Sequence, residues 1–272
     1  AARGAASACI LKRFIIGIYD PRLRGLPPAL VRKVLWPNTI GQAIQSIPAP
    51  NSQYFSYLIR DNLFDWAARQ HVDRCDVFHG WNHMSLLSLR KARQLGAKAI
   101  IERSSTHPVA QDAILREEFA RYGARYPAGN RLLFRKHLQE YEEADAIMVC
   151  SEFVARTMRE QGVPESKLLR VHLGFDPGRF RPAPKSDGVF RVLFAGLIGL
   201  RKGVQYLLEA FKRLNLPDAE LVLVGWIAPD SRLFLPQYEG LYRHVPFTPQ
   251  EDLPDLYHSA SVLVLPSLEE GF

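Results

Sequence analysis

The stretch "FRVLFAGLIGLRKGVQYLLEAFKRLNLPDAELVLVG", residues 190–225, decides the fold. It opens on "FRVLFAG" (190–196), a short β-rich apolar run. "GVQYLLEAFKRL" (203–214) follows, with Val204, Leu207, Leu208, Phe211 and Leu214 at helical spacing on one buried face. "AELVLVG" (219–225) is a second apolar run. Strand, helix and strand in so short a span make a βαβ unit, and such a crossover implies parallel pairing.

The pattern then repeats. In "TPQEDLPDLYHSA", Pro249 takes the first helical position after Thr248, and Glu251 follows at capping-box spacing. "SVLVLPS" reads as a buried strand running into a loop. Earlier in the chain, "CDVFHGW" (75–81), "KAIIERS" (98–104), "ADAIMVCS" (144–151) and "LLRVHLG" (168–174) read as strands. "SLLSLRKARQLG" (85–96), "QDAILREEFARYG" (111–123) and "SEFVARTMREQG" (151–162) read as helices, two of them ending near glycine. "DPGRFRPAPKSDG" (176–188) is rich in proline, glycine and charge and reads as a linker. The expected class is α/β, with domains 1–183 and 184–272, the second a doubly wound sheet lacking its closing elements. The Pro-rich 20–55 region gives no assignment.

Composition narrows the class. Of 272 residues, 47% are hydrophobic and 23% charged, ordinary for a globular protein. No apolar run is long enough to span a bilayer, and "AARGAASACILKRF" lacks the sustained apolar core of a signal peptide. Cys9, Cys75 and Cys150 fit no metal spacing and read as packing residues of a reducing compartment. The net charge of +7 is uneven: residues 1–188 carry 28 basic against 18 acidic side chains, the remainder 7 against 10. A basic first part suits an anionic membrane surface or a phosphorylated substrate. No nucleic-acid-binding motif appears, so nucleic acid is not expected as a partner.

"AGLIGLRKG" (195–203) joins strand to helix. Gly196, Gly199 and Gly203 allow a tight turn, the helix start supplies N–H groups, and Arg201 and Lys202 add two cations. Together they make a seat for a diphosphate, although a glycine turn with solvated charges would use the same residues. The spacing is neither the dinucleotide fingerprint nor the P-loop. Glu269 and Glu270 follow a strand at the carboxyl edge of the same sheet, where open α/β folds bind ligands. They read as acceptors for sugar or ribose hydroxyls, or as an exposed acidic loop. His79, His83 and His107 fall at or after strand ends, open to substrate contact or to backbone satisfaction. No zinc or Ser-His-Asp arrangement is readable. "PRLRGLPPALVRKVLW" (21–36) sets Arg22, Arg24, Arg32 and Lys33 beside apolar residues, suited to an anionic membrane surface or to a basic surface loop.

These segments, in this order, resemble the retaining, nucleotide-sugar-dependent glycosyltransferases of the GT-B fold, the "group 1" type. "EEADAIMVCSEFVARTMREQGVPESKLLRVHLGFDPGRFRP" is similar to the end of the family's N-terminal domain. "VLFAGLIGLRKGVQYLLEAFKRL" is similar to its donor-phosphate loop and helix. "AELVLVG" and "VPFTPQEDLPDLYHSASVLVLPSLEEGF" are similar to the donor half leading to its paired-glutamate motif. The resemblance covers roughly residues 140–272; 75–123 match more loosely and 1–60 hardly at all.

The resemblance implies two Rossmann-like domains facing a cleft, the C-terminal one incomplete and the N-terminal one without its first strand. It implies Lys202 on the donor diphosphate, with Arg201, Gly199 and Gly203 around it. Glu270 corresponds to the first of the two glutamates that hold the donor sugar, and Gly271 and Phe272 to the loop whose amides approach it. The second glutamate would fall past Phe272, so a fragment truncated at both ends and inactive alone is expected. Glu269 counts only as the neighbour of Glu270. His107 matches the histidine that contacts the transferred sugar. Leu197 stands where many members carry a phosphate-binding arginine.

The implied reaction is hexosyl transfer with retention to a saccharide or lipid-linked acceptor, in surface polysaccharide or glycolipid synthesis, with no cofactor. The implied location is cytoplasmic, at most peripheral to the membrane. No Asp-x-Asp motif is visible, in keeping with a metal-independent site. A GT-B epimerase, or a non-catalytic two-domain α/β binding protein of the periplasmic type, would share the architecture.

Overall fold

The computed structural model describes the chain except residue 1, residues 19–25, 50–51 and 128–130, and residues 176 and 186. Arg22 and Arg24 therefore lie outside the described residues. The chain forms two compact units: residues 1–104 with 128–171, and residues 105–127 with 172–272.

The first unit opens with α1 (Ala2–Ser7), β1 (Phe14–Ile16), β2 (Val31–Lys33), α2 (Trp36–Gln45) and α3 (Ser52–Ala68). β3 (Val77–Trp81), α4 (Leu86–Gln94) and β4 (Lys98–Arg103) follow. Next in the chain is α5 (Pro108–Arg121), which belongs to the second unit. α6 (Arg131–Glu143), β5 (Ala146–Val149), α7 (Glu152–Glu160) and β6 (Leu168–Arg170) complete the first unit. Its main sheet runs β3-β4-β5-β6, all parallel, as the βα pattern requires. Ala99, Ile101, Ile147 and Val149 form its core with Leu89 of α4 and Val154 and Met158 of α7. β1 and β2 pair in a separate parallel ribbon.

The 20–55 region, given no assignment, holds β2, α2 and the start of α3, and α3 as a whole is hard to read from sequence. Its buried residues are Ser56, Asp61 and Asp65 with Ala67 and Ala68, while Phe55, Ile59 and Trp66 are exposed, so large apolar residues do not mark the buried face. The burial is satisfied locally. Asp65 accepts the backbone N–H groups of Leu87 and Ser88, both at 2.9 Å, capping α4 from a neighbouring helix. Lys136 of α6 lies 3.1 Å from the same carboxylate.

The second unit adds β7 (Phe190–Ala195), α8 (Val204–Leu214), β8 (Ala219–Val224), β9 (Arg243–Val245), α9 (Leu253–Ser259) and β10 (Val262–Leu263). Its sheet is parallel, in the order β10-β7-β8-β9. One face buries Val192, Phe194, Leu221 and Leu223 under Val204, Leu207, Leu208 and Phe211 of α8. The other buries Leu193, Val222 and Val224 against Leu256 and Tyr257 of α9. Helices on both faces make it doubly wound, as expected. Phe119 of α5 and Tyr122 just after it pack against the α8 side, and buried Glu118 of α5 accepts from Gln205 (2.9 Å) and Tyr206 (2.8 Å).

Four local expectations are corrected. Leu214 is 61% exposed, because the helix ends there at Asn215, whose left-handed φ of 42° turns the chain away. The capping box does not form: residues 249–252 make a turn, Asp252 N–H donating to Pro249 O at 3.0 Å, and α9 starts at Leu253. "SVLVLPS" joins the sheet from Ser261 to Val264, but Val262 and Leu263 are exposed because β10 lies at the sheet edge. None of the three cysteines is in a disulfide, but only Cys150 is buried, and Cys9 lies exposed in the turn after α1. Among the described residues of 176–188 there is no helix or strand.

Candidate functional site

The strand order places the site. In the second unit β7 comes first in the chain, with β8 on one side and β10 on the other. The winding therefore reverses between β7 and β10, and ligands of open α/β sheets bind at the carboxyl ends beside such a reversal. The two loops that leave there are 196–203 and 264–272, which hold all but one of the expected site residues.

Gly203 locks the two loops together. It has a left-handed φ of 68° between the tight turn Leu200–Lys202 and α8. A Cβ at this position would lie 1.9 Å from the Pro266 carbonyl oxygen. Leu268 N–H also donates to Arg201 O at 3.0 Å. Gly199 is extended, and its carbonyl accepts from Lys202 N–H at 3.1 Å.

This packing brings Arg201, Lys202, Glu269 and Glu270 into one cluster. The Lys202 ammonium pairs with Glu270 Oε2. Arg201 Nη1 lies 3.3 Å from Glu269 Oε2 and 3.5 Å from Glu270 Oε1, and donates to Glu269 O at 3.3 Å. Two cations thus face two carboxylates. Gly271 is buried beside them and Phe272 is 72% exposed. Leu197 is exposed and brings no charge to this place.

His107 stands at the start of α5, 2% exposed. It is the N-cap, and its Nδ1 accepts from Val109 N–H at 3.3 Å. An Nδ1 that accepts holds the ring proton on Nε2, the tautomer that can donate a hydrogen bond. The helix begins at Pro108, earlier than the sequence pattern suggests, because proline takes the first turn without losing a hydrogen bond.

Sequence reasoning missed the centre of this arrangement. Glu269 has no exposed surface. Its Oε1 accepts from Thr106 N–H (2.9 Å) and Thr106 Oγ1 (2.7 Å), and its Oε2 from Gln111 Nε2 (2.8 Å). Burial pushes this carboxyl up, but the donors from Thr106 and Gln111 and the Arg201 charge outweigh it and hold it below the usual glutamate range. Nothing in the spacing distinguishes Glu269 from Glu270. Asp230 was also missed: it accepts the Leu200 N–H at 2.7 Å, so that loop amide already has a carboxylate partner.

Two aromatic rings mark the same edge of the sheet. Trp226 follows β8 and Phe247 follows β9, stacked at 5.8 Å with 19° between their planes. They are 66% and 58% exposed, so the pair offers an open π-face.

His79 and His83 belong to the first unit. His79 Nε2 lies 3.0 Å from Glu102 Oε2, and His83 Nδ1 lies 2.8 Å from Asp61 Oδ2. Buried Glu140 fixes the "HGWNH" loop by accepting from Asn82 Nδ2 (2.6 Å) and Ser85 N–H (2.9 Å). Both histidines are thus neighbours of carboxylates. Among the described residues, no helix is long and apolar enough to cross a membrane.

Residues 20–179 match the family described as Glycosyltransferase Family 4, and residues 189–272 match Glycosyl transferases group 1. An uncharacterized glycosyltransferase of Methanocaldococcus jannaschii is 27% identical over 222 residues, 74% of this chain and 54% of the archaeal protein. A D-inositol 3-phosphate glycosyltransferase of Mycobacterium sp. strain KMS is 28% identical over 153 residues, 49% of this chain and 34% of that protein. The matches thus span about half or less of these relatives' lengths. Among solved structures, sucrose-phosphate synthase of Thermosynechococcus elongatus superposes with a TM-score of 0.65 at 18% identity, over 100% of this chain and 69% of that one. Anabaena HepE in complex with UDP and glucose gives 0.60 at 13%, over 98% and 69%. At these identities the likeness shows the fold, the GT-B architecture of two Rossmann-like sheets.

Proposed function

The chain belongs to Glycosyltransferase Family 4, and from that premise we propose that it moves a hexose from a nucleoside-diphosphate sugar to a saccharide or lipid-linked acceptor, with retention, in surface polysaccharide or glycolipid synthesis. The observation that carries this proposal is the Arg201–Lys202 pair, held at the strand-order reversal by Glu269 and Glu270.

Departure of a nucleoside diphosphate needs positive charge where negative charge develops, and two fixed cations supply it without a metal. Lys202 exchanges Glu270 for a phosphate oxygen, and the released Glu270 accepts from sugar hydroxyls beside the Gly271 and Phe272 backbone. His107 donates through Nε2–H to the transferred sugar. Retention rests on the family likeness. The Anabaena relative, solved with UDP and glucose, supports a nucleotide-sugar donor.

The test is transfer of labelled sugar by the full-length protein from a panel of UDP-, GDP- and ADP-sugars to saccharide and lipid-linked acceptors. Transfer with retained anomeric configuration is the expected result. An epimerised sugar nucleotide without transfer would instead favour a GT-B epimerase.

The nucleobase is assigned to the open face of Trp226 and Phe247. Trp226→Ala should then weaken nucleoside diphosphate binding about tenfold, the scale of one lost base–aromatic stack. Binding of inorganic pyrophosphate should be unchanged. Calorimetry with both ligands decides it, and an equal loss for both would refute the stacking role.

The proposed setting is cytoplasmic, with peripheral contact to an anionic membrane. Exposed Trp36 and Ile40 on α2 and Phe55, Ile59 and Trp66 on α3 support it, in a part of the chain with excess basic charge.

A further inference from the structure

We infer that Glu269 is a positioning residue of the transfer reaction: one buried carboxylate sets the spacing between His107, Lys202 and Glu270. The inference rests on the transferase function proposed above.

Burying a carboxylate is expensive unless every oxygen is satisfied, and a loop that needs only packing is held more cheaply by an apolar side chain. Glu269 is nonetheless fully buried and draws donors from separate stretches of chain: Thr106 and Gln111 at the start of α5, and Arg201 in the loop after β7. The neighbours of these residues matter more than their number. Thr106 precedes His107, Arg201 precedes Lys202, and Glu269 itself precedes Glu270. His107, Lys202 and Glu270 are therefore each one peptide unit from this carboxylate or from a group bound to it.

A second consequence follows for charge. Arg201 Nη1 is shared between Glu269 and Glu270, so Glu269 holds the guanidinium within the cluster. Removing its charge frees Arg201 for a phosphate while loosening the α5 start that carries His107. Affinity for the diphosphate and the rate of the chemical step should then move independently. A residue that merely stabilises the fold would lower both.

Glu269→Gln separates these outcomes. Glutamine keeps the shape, and its carbonyl still accepts from Thr106. Its amide NH2 group, however, meets Gln111 and Arg201, both donors, and cannot accept from them. Turnover of the full-length protein is measured with UDP-, GDP- or ADP-glucose, whichever the wild type uses fastest, and affinity with the matching nucleoside diphosphate. The expected result is a kcat lowered about 100-fold, the usual scale for a misplacement near 1 Å. Nucleoside diphosphate affinity should be equal or tighter, although the hydrogen bonds lost from Gln111 and Arg201 lower the thermal midpoint.

Thr106→Val is the milder companion. It removes one donor and leaves the charge in place, and should lower kcat several-fold without touching affinity. Unchanged kcat in both variants would overturn the inference. So would a parallel fall of kcat, affinity and thermal midpoint, which marks a structural role. A wild type that binds no nucleoside diphosphate would remove the transferase function as well; active wild type with an indifferent Glu269→Gln removes this inference alone.

Discussion

Lys202→Ala is expected to weaken nucleoside diphosphate binding by about 100-fold or more. A charge-assisted hydrogen bond contributes roughly 1.5–3 kcal/mol, and truncating one member of a desolvated charged pair costs about 2–5 kcal/mol. Both effects act here. The side chain is only 20% exposed and pairs with Glu270, so its loss removes a cation and leaves a carboxylate facing the incoming phosphates. Inorganic pyrophosphate should lose as much as the nucleotide, since Lys202 is assigned to phosphate and not to the base. Calorimetry with UDP, GDP, ADP and pyrophosphate measures this. Wild-type affinity in the variant would remove Lys202 from the diphosphate site.

Gly203→Ala should destabilise the protein by about 3 kcal/mol or more. A non-glycine residue in the left-handed region costs about 1–3 kcal/mol, and crowding a packed site costs a similar amount. With φ at 68° and the Pro266 oxygen 1.9 Å from the new Cβ, Gly203→Ala incurs both costs. The backbone of the 264–272 loop has to retreat, and Glu269 and Glu270 move with it. Chemical denaturation gives the stability loss, and diphosphate titration shows whether the cluster survives. A variant with wild-type stability and affinity would show that the two loops do not need this close approach.

The second unit was legible where apolar periodicity and burial agree. β7, α8 and β8 follow the 190–225 pattern closely, since each buries one regular face against the next. β10 was harder, because an apolar run reads alike at the edge and at the centre of a sheet. α3 was illegible because polar Ser56, Asp61 and Asp65 lead its buried face, and the groups that satisfy Asp65 come from α4 and α6, distant in sequence. The site divides in the same way. Arg201, Lys202 and Glu270 could be named from a glycine-rich loop and a strand end, features local in sequence. The importance of Glu269 depends on Thr106 and Gln111, more than 150 residues away; no local pattern records that pairing.

The membership of Ser105–Pro127 in the second unit bears on how this protein can be cut and recombined. A chimaera joined within residues 176–188 would take the sheet of the second unit from one parent and α5 from another. At that junction Gln205 and Tyr206 meet a foreign residue in place of Glu118, and Glu269 meets foreign residues in place of Thr106 and Gln111. Transplanting the second unit intact therefore requires two crossovers, one on each side of α5, in addition to the one within residues 176–188.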